Sequence, residues 1–316
     1  MITSPQTWLA PAKVNLYLHI LGRYETGYHS LESLFVFANK GDFLDIKTAG
    51  QFELEITGPF AAALNKQNSK HNIVTKAAAL LWSAALKRDR SADHHPLLPP
   101  VKVKLDKRLP LGAGLGGGSS DGATMMLALN QLFDLGYSLK ELQAMAKPLG
   151  ADVPACLQRQ ACLVRGIGDI IRPYTLPDYW SQQDWLLVNP MVHLSTPAVF
   201  AAFAQSHKPV LLQENKQNLN ANLTLSQEQD TLEFIKKGRN DLRSAACSLS
   251  NELRVLFEIL GDNARLSGSG ATCFIAKQDN TQICTQTIQQ RYRSALQNYN
   301  HSEMKADLWM IECQFH

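Results

Sequence analysis

The chain has 316 residues, of which 45% are hydrophobic, and a formal net charge of +3. This size allows two compact domains, and the mild charge argues against a nucleic-acid-binding protein, whose basic residues usually dominate one face. The sequence has no apolar run long enough to span a membrane and no secretory signal pattern at its start. Its six scattered cysteines lack C-x-x-C spacing, which indicates reduced thiols and a cytoplasmic protein.

The first regular pattern is a strand near the N-terminus. Residues 13–20 alternate strictly between polar and apolar side chains, which predicts a half-buried strand. Its solvated face would carry Lys13, Asn15, Tyr17 and His19. From this pattern alone, a solvated face is the favoured interpretation of those four polar side chains.

Strand and helix patterns then follow one another up to about residue 150. Strands are predicted at 43–48, 52–57 and 101–106, and a helix at 72–86. A largely buried helix is predicted from Asp121 to Leu135, since it carries apolar residues nearly all round. The next helix starts at Ser138, where Glu141 completes a capping-box pattern.

The second half mixes strands and helices without regular βαβ alternation. A strand is predicted at 184–190, a helix from about Pro197, an amphipathic helix at 240–261 and a buried strand at 271–276. The stretch 205–230 is rich in Gln, Asn and Ser and is predicted to be a solvated connection. Together these patterns predict an α+β protein of two domains.

The most informative segment is "LPLGAGLGGGSSDGAT", residues 109–124. It contains G-x-G-x-x-G at Gly112, Gly114 and Gly117, which is a weak signal alone. A dinucleotide-binding fold would need a second parallel strand after the helix, where a second helix is predicted instead. A Walker loop would end in Lys-Ser or Lys-Thr, and no such pair closes this glycine run. A protein kinase would carry H-R-D and D-F-G, and the sequence has neither.

A predicted strand, this loop and a predicted helix start follow directly on one another. Such an arrangement presents backbone N–H groups and a positive dipole end to an anion, with hydroxyls from Ser119 and Ser120 nearby. A flexible linker is the simpler alternative. Phosphate binding is favoured because a linker would not usually lead directly into so apolar a helix.

The glycine run resembles the phosphate loop of the GHMP kinases. Two further segments resemble that family's other motifs, in the family's order: "PAKVNLYLHILGRYETGYHSLES" near the start and "RLSGSGATCFI" near the end. The resemblance implies an ATP-binding domain at 1–172, similar to domain 2 of ribosomal protein S5, and a ferredoxin-like substrate-binding domain at 173–316, with the active site in the cleft between them. Gly122 departs from the family, which more often has alanine there.

The resemblance also implies how ATP is held. The predicted ATP-binding residues are Lys107, Pro110, Leu111, Gly112, Ala113, Gly114, Leu115, Gly116, Gly117, Gly118, Ser119 and Ser120. Mg²⁺ would arrive with ATP, without direct ligation by the protein. Considered without the family, Lys107 could be an ordinary surface charge at a strand end.

The predicted catalytic residues are Asp152, as the base, and Lys13, which would hold Asp152 ionised. Both roles come from the family's motifs. From the local sequence "GADVP" alone, Asp152 is more simply the N-cap of a short helix with proline in its first turn.

The segment "GYH", residues 27–29, resembles one branch of the GHMP kinases in particular, the branch that acts on a cytidine-diphosphate sugar alcohol. It implies transfer of a phosphoryl group to a 2-hydroxyl in isoprenoid precursor synthesis. Tyr28 and Phe200 would stack on the cytosine and His29 would bind its edge, with Asn15 and Thr196 completing the substrate site.

Two other functions stay open on the sequence. A GHMP kinase for homoserine, mevalonate or a related alcohol would share the loop without needing the base-binding residues. An RNA-binding module could share the S5-like fold, although the low charge argues against it. The expected partners are small molecules, with no nucleic acid or membrane, in a monomer or homodimer.

Overall fold

The computed structural model describes residues 4–66, 68–88, 98–207, 210–212, 235–277, 284–298 and 307–316. Contacts group the chain into two compact units. Unit 1 comprises residues 1–13, 39–111 and 116–159, and unit 2 comprises 14–38, 112–115 and 160–316. The predicted domain division after residue 172 stays a prediction, and each of the two units is built from several separate segments of the chain.

Eleven strands and ten α-helices are named here in chain order. The strands are β1 (Gln6–Tyr24), β2 (His29–Thr48), β3 (Glu53–Thr57), β4 (Val101–Asp106), β5 (Cys162–Gly166), β6 (Ile170–Pro173), β7 (Trp185–Asn189), β8 (Leu211–Leu212), β9 (Arg265–Leu266), β10 (Cys273–Ala276) and β11 (Trp309–Cys313). The helices are α1 (Ala61–Asn65), α2 (Ile73–Arg88), α3 (Gly117–Leu132), α4 (Leu139–Ala146), α5 (Val153–Cys156), α6 (Asp178–Ser181), α7 (Thr196–Ser206), α8 (Arg243–Leu249), α9 (Asn251–Leu260) and α10 (Thr285–Asn298). This mixture confirms the α+β class. Within the described residues, no helix is both long and apolar enough to cross a membrane.

Unit 1 pairs a sheet with two central helices. β4 runs antiparallel to the second half of β2 and parallel to β3. Helices α2 and α3 pack against each other, and Gly122 of α3 faces Ile73 and Ala77 of α2. A Cβ atom at Gly122 would lie 3.0 Å from Cγ1 of Ile73, so glycine lets the two helices pack at this distance. This accounts for the departure from the family's more frequent alanine.

Unit 2 contains a four-stranded antiparallel sheet in the order β11–β7–β10–β9. Alternate residues of β7 face opposite sides of this sheet. Leu186 and Val188 belong to the core formed with α7, α8, α9 and α10. Trp185, on the other side, stacks on Phe315 with ring centroids 5.0 Å apart. Unit 2 also holds the strand pairs β2–β5, β5–β6 and β1–β8.

The prediction of a solvated face on β1 is wrong. Lys13, Asn15, Tyr17 and His19 are only 4%, 2%, 0% and 6% exposed. Their polar atoms have protein partners instead of water: Asn15 Nδ2 donates to Ser33 Oγ at 2.9 Å, and Tyr17 OH donates to Glu32 at 3.3 Å. The alternation of polar and apolar residues therefore distinguishes two faces of β1, and both faces are buried.

Other predicted elements are confirmed with shifted boundaries. Helix α3 begins at Gly117, four residues before its predicted start at Asp121. The capping box of Ser138 and Glu141 is present at α4. The single helix predicted at 240–261 is two helices, because Ser250 ends α8 and its Oγ caps α9 by accepting from Leu253 N at 3.1 Å.

The predicted connection at 205–230 lies mostly outside the described residues. Its described parts are the end of α7 at 205–207 and the residues 210–212, which contain β8.

Candidate active site

Lys13 and Asp152 form an ion pair in unit 1. Lys13 Nζ lies 3.2 Å from Asp152 Oδ2, and the two side chains are 5% and 37% exposed. Asp152 occupies the N-cap position of α5, with Pro154 in the first turn, yet its side chain makes no capping hydrogen bond. The carboxylate is therefore paired with a buried cation while part of it stays open to solvent.

The glycine loop brings the start of α3 next to this pair. Gly116, the N-cap of α3, has a left-handed backbone with φ +60°. A Cβ atom there would lie 3.0 Å from Lys13 Cε and 3.9 Å from Asp152 Oδ2. The N–H groups of the following residues have no partner within the helix, because the first turn of any α-helix lacks them. An anion bound there would lie beside the Asp152 carboxylate and at the positive end of the helix dipole.

The predicted ATP-binding residues of unit 1 differ in their access to a ligand. Gly118 is exposed, and a Cβ atom there would meet only Ile73, at 3.9 Å. Leu111 is also exposed, Gly116, Gly117 and Ser119 are half-buried, and Pro110 is buried. Ser120 is 1% exposed, and its Oγ is buried with no hydrogen-bond partner among the described residues.

Lys107 is buried, so the alternative of an ordinary surface charge is wrong, while its predicted role in ATP binding stays a prediction. Its side chain is 1% exposed, with Nζ held by Asp42 and, at 2.7 Å, by Asp121. A buried ammonium group engaged by two carboxylates is poorly placed to bind a nucleotide phosphate directly. This pairing could not be predicted from local sequence, since Asp42 lies 65 residues away along the chain.

The middle of the loop, Gly112–Leu115, is held by the "LSGSG" segment, residues 266–270, in unit 2. Ser267 Oγ donates to Gly114 O at 2.8 Å, and Thr272 N donates to Ala113 O at 3.1 Å. Gly114 has φ +75°, and a Cβ atom there would lie 2.3 Å from Ser267 O. Glycine is therefore required at position 114 for two independent reasons, its dihedral angle and the close backbone.

Asn15 lies at the same segment of unit 2. Its backbone N–H donates to Ser267 Oγ at 3.3 Å, and its Oδ1 lies 3.4 Å from the position of a Cβ on Gly268. The backbone N–H of Asn15 thus joins β1 to the "LSGSG" segment, and its side-chain amide lies close to Gly268. Its predicted contact with substrate stays a prediction.

Two of the predicted base-binding residues come together in unit 2. The rings of His29 and Phe200 lie 5.0 Å apart at an angle of 34°. His29 Nε2 is buried and has no hydrogen-bond partner among the described residues. Burial lowers the pKa of His29, and the positive charge of Arg23 lowers it further, so the neutral imidazole is favoured.

Tyr28 lies in the turn between β1 and β2 and is 65% exposed. That turn is closed by Tyr24 N, which donates to Tyr28 O at 2.8 Å, and by Gly27 with φ +91°. An exposed aromatic ring next to a buried, unpartnered imidazole nitrogen is the combination that an aromatic base could use, by stacking and by edge recognition.

Helix α7 supplies two further residues near this place. Thr196 Oγ1 lies 2.8 Å from Ser269 Oγ, which joins the start of α7 to the "LSGSG" segment. Phe203, which the sequence interpretation missed, approaches His29 edge-on at 6.4 Å. The signal was its spacing: it follows Phe200 by three residues, so both rings lie on one face of the helix.

Comparisons with known proteins agree with this geometry. The family described as GHMP kinases N terminal domain matches residues 72–160. The 4-diphosphocytidyl-2-C-methyl-D-erythritol kinase of Brucella melitensis biotype 1 is 37% identical over 290 residues, covering 88% of each chain. That of Agrobacterium fabrum is 35% identical over 270 residues, covering 84% of this chain and 85% of the relative.

A crystal structure of 4-(cytidine 5'-diphospho)-2C-methyl-D-erythritol kinase, 28% identical, superposes with a TM-score of 0.64 over 98% of this chain and 99% of that one. Methanococcus jannaschii mevalonate kinase shares the fold at 15% identity, with a TM-score of 0.60 over 99% of both chains.

Proposed function

The chain belongs to the 4-diphosphocytidyl-2-C-methyl-D-erythritol kinase family of GHMP kinases, and we propose that it phosphorylates the 2-hydroxyl of that cytidine-diphosphate alcohol. Membership makes it a kinase, with ATP as the phosphate donor. The proposed step belongs to the synthesis of isoprenoid precursors. The identity of the alcohol and the roles of individual residues are the proposal.

In the proposed reaction Asp152 is the general base. Its carboxylate accepts the proton of the 2-hydroxyl while that oxygen forms a bond to the γ-phosphorus and the bond from the γ-phosphorus to the leaving oxygen of ADP breaks. Lys13, at 3.2 Å from Oδ2, fixes the orientation of the carboxylate and offers positive charge to the transferring group. The single observation that carries this assignment is that Asp152 gives up the capping hydrogen bond of α5 to pair with Lys13 beside Gly116.

The glycine loop is proposed to hold the phosphates of ATP. Backbone N–H groups at the start of α3 would donate to phosphate oxygens, and Gly118 leaves room for them to approach. Among the described residues no group of three or more His, Cys, Asp or Glu side chains could hold a metal alone. The site fits Mg²⁺ carried on the phosphates, since that ion prefers phosphate oxygens and water, and when bound it would neutralise phosphate charge.

The base-binding role is proposed for Tyr28, His29 and Phe200. Tyr28 would stack on the cytosine, His29 Nε2 would form the hydrogen bond to its edge that the protein does not itself provide, and Phe200 would support the ring. Asn15 and Thr196 are proposed to line the remainder of the substrate site.

The proposal is tested by ADP release in the presence of ATP and Mg²⁺. The cytidine-diphosphate alcohol is compared with the same sugar alcohol 4-phosphate that lacks the cytidine monophosphate group, and ³¹P NMR identifies the new phosphoester. We expect turnover of the first compound alone, with a new phosphomonoester on the 2-hydroxyl. Equal turnover of both would contradict the base-binding assignment, and a phosphoester at another hydroxyl would contradict the assigned position of transfer.

A further inference from the structure

Three charged residues that are almost completely buried meet directly behind the glycine loop. Lys107, at the end of β4, is paired with Asp42 of β2 and with Asp121 of α3, and the three side chains are between 0% and 2% exposed. Burying a charged trio is costly unless its members compensate one another. This cluster lies next to the glycine loop but makes none of the contacts proposed for ATP, so its function needs a separate explanation.

Asp42 ties this cluster to the backbone that leads into the loop. Its Oδ1 accepts hydrogen bonds from Arg108 N at 2.5 Å and from Leu109 N at 2.8 Å. Its Oδ2 is engaged by Lys107 Nζ. One carboxylate thus fixes both the chain just before the glycine run and the ammonium group beneath it.

The same cluster touches the first residue of α3. A Cβ atom on Gly117 would lie 3.1 Å from Lys107 Nζ and 3.4 Å from Asp42 Oδ2. Asp121, one turn further along α3, accepts from Lys107 Nζ at 2.7 Å. The ion pair with Asp121 therefore ties the start of α3 to Lys107, and Gly117 lies close to the same ammonium group.

We propose that the buried cluster of Asp42, Lys107 and Asp121 positions the N-terminal turn of α3 for the phosphates of ATP, and so sets nucleotide affinity without touching the nucleotide. The proposal deepens the function proposed above, because it rests on ATP being held by the glycine loop. All three are positioning residues, whose effect passes through the backbone of residues 108–117.

Direct binding of a phosphate by Lys107 and positioning of α3 by the cluster predict opposite changes in ATP affinity when Asp42 or Asp121 is neutralised. If Lys107 bound a phosphate, neutralising Asp42 or Asp121 would remove a competing negative charge and strengthen ATP binding. If the cluster positions the helix, the same substitutions loosen the N-terminal turn and weaken ATP binding. The sign of the change therefore separates the two roles.

The test measures the dissociation constant of ATP with Mg²⁺ by calorimetric titration of the whole enzyme, without the alcohol substrate. Asp121→Asn, Asp42→Asn and Lys107→Met are compared with the wild type. Matched controls are Glu53→Gln and Lys102→Met, which break an exposed ion pair of 3.3 Å between β3 and β4. We expect the three cluster substitutions to raise the dissociation constant on the order of tenfold, as small misplacements of binding groups do, and the controls to leave it unchanged.

Steady-state kinetics provides the second readout. KM for ATP should rise more than kcat falls at saturating ATP, whereas a general loss of folded protein would lower kcat and leave KM unchanged. Tighter or unchanged ATP binding in Asp121→Asn would overturn the proposal, and this near-isosteric variant decides the matter if Lys107→Met does not fold. Failure of the wild type to bind ATP would instead overturn the proposed function.

Discussion

The position of Asp152 allows its side chain either to cap helix α5 or to pair with Lys13, and the structure shows the pairing. Its backbone occupies the N-cap position of α5, where an aspartate usually accepts a hydrogen bond from the helix. Its side chain instead lies 3.2 Å from Lys13, a lysine buried on β1. A carboxylate that makes no capping hydrogen bond and is 37% exposed is suited to receive a proton from a bound hydroxyl.

Replacing this carboxylate should affect chemistry much more than nucleotide binding. Asp152→Asn keeps the shape but cannot accept the proton as a base, so kcat should fall on the order of 10²-fold or more while the ATP dissociation constant changes little. Stopped assays of ADP release and calorimetric titration measure the two effects. Asp45→Asn, a half-buried carboxylate of β2 bonded to Thr7, is the matched control with normal kcat. Normal turnover of Asp152→Asn would remove it from the role of base.

Tyr28 and Tyr179 give a matched pair for the base-binding proposal. Their side chains are 65% and 63% exposed, so truncating either removes a similar solvent-exposed ring. Tyr28→Ala should raise KM for the cytidine substrate on the order of tenfold, because stacking on one base contributes about 1–3 kcal/mol. KM for ATP should stay constant, and Tyr179→Ala should change neither constant. Equal effects of the two substitutions would contradict a stacking role.

For single residues, the sequence indicated which side chains belong to motifs better than it indicated their burial and their partners. The motifs singled out Lys13, Asp152, Tyr28 and His29 by residue type, and the structure pairs Lys13 with Asp152 and places His29 beside Phe200, while their functional roles stay predictions. The burial of Lys107 was hidden, because one of its partners, Asp42, is distant in the sequence and neither aspartate has a motif that signals pairing.

The glycine loop shows the same limits for a whole element. Its sequence predicted a strand, a loop and a helix start, and the structure contains β4, the loop and α3. The helix start was misplaced because glycines and serines at 117–120 have low helix propensity, which their tertiary contacts override. The attachment of Gly114 to Ser267 joins residues 153 apart and could not be predicted from local sequence.

Gly114→Ala should be much more damaging than Gly136→Ala. Both positions have positive φ, +75° and +67°, so alanine costs about 1–2 kcal/mol of backbone strain at either. At Gly114 the new methyl group would lie 2.3 Å from Ser267 O, whereas at Gly136 it would meet nothing within 4 Å. Denaturant unfolding should show about 1–3 kcal/mol more destabilisation for Gly114→Ala, with a raised KM for ATP. Equal unfolding free energies would contradict the close packing of this loop.

The buried cluster behind α3 should make stability depend on pH. Burial raises the pKa of Asp121 to about 7, and the negative charge of Asp42 acts in the same direction, although Lys107 opposes both. Between its ordinary pKa of 3.8 and about 7, the folded protein keeps a proton that the unfolded chain has released, so stability falls as pH rises through this range.

Asp121→Asn removes this titration. Its unfolding free energy relative to wild type should therefore increase as pH rises from about 4 to about 7 and become constant above that. Urea unfolding of both proteins across the range measures the difference. A difference that does not change with pH would show that Asp121 has an ordinary pKa. Asp121→Asn is also expected to bind ATP more weakly. The substitution would then favour stability at neutral pH while weakening ligand binding.

On the scale of the whole molecule, the sequence established the α+β class and the family, because three motifs in order are more specific than any one of them. It placed β3, β4, β7, α2 and α4 to within a few residues, but the predictions for β1 and β2 were too short, and strands such as β5 and β11 were not predicted. It did not give the grouping into two units, since β1, β2 and the glycine run each pass from one unit to the other. That grouping depends on pairings distant in sequence, such as β1 with β8.

The same fold occurs in the mevalonate kinase of Methanococcus jannaschii, which is 15% identical to this chain. Fold alone therefore leaves the substrate open, and the proposed choice of substrate depends on the proposed base-binding residues. In unit 2, His29 Nε2 has no hydrogen-bond partner among the described residues, Tyr28 is exposed and Phe200 lies beside His29, which is the arrangement that the proposed binding of a base uses.

The most direct measurement is ADP release by the purified protein with ATP and Mg²⁺, offered 4-diphosphocytidyl-2-C-methyl-D-erythritol, homoserine or mevalonate in separate reactions. The account predicts turnover with the cytidine compound alone. Turnover with homoserine or mevalonate but not with the cytidine compound would contradict it, leaving the kinase fold and removing the roles of Tyr28, His29 and Phe200.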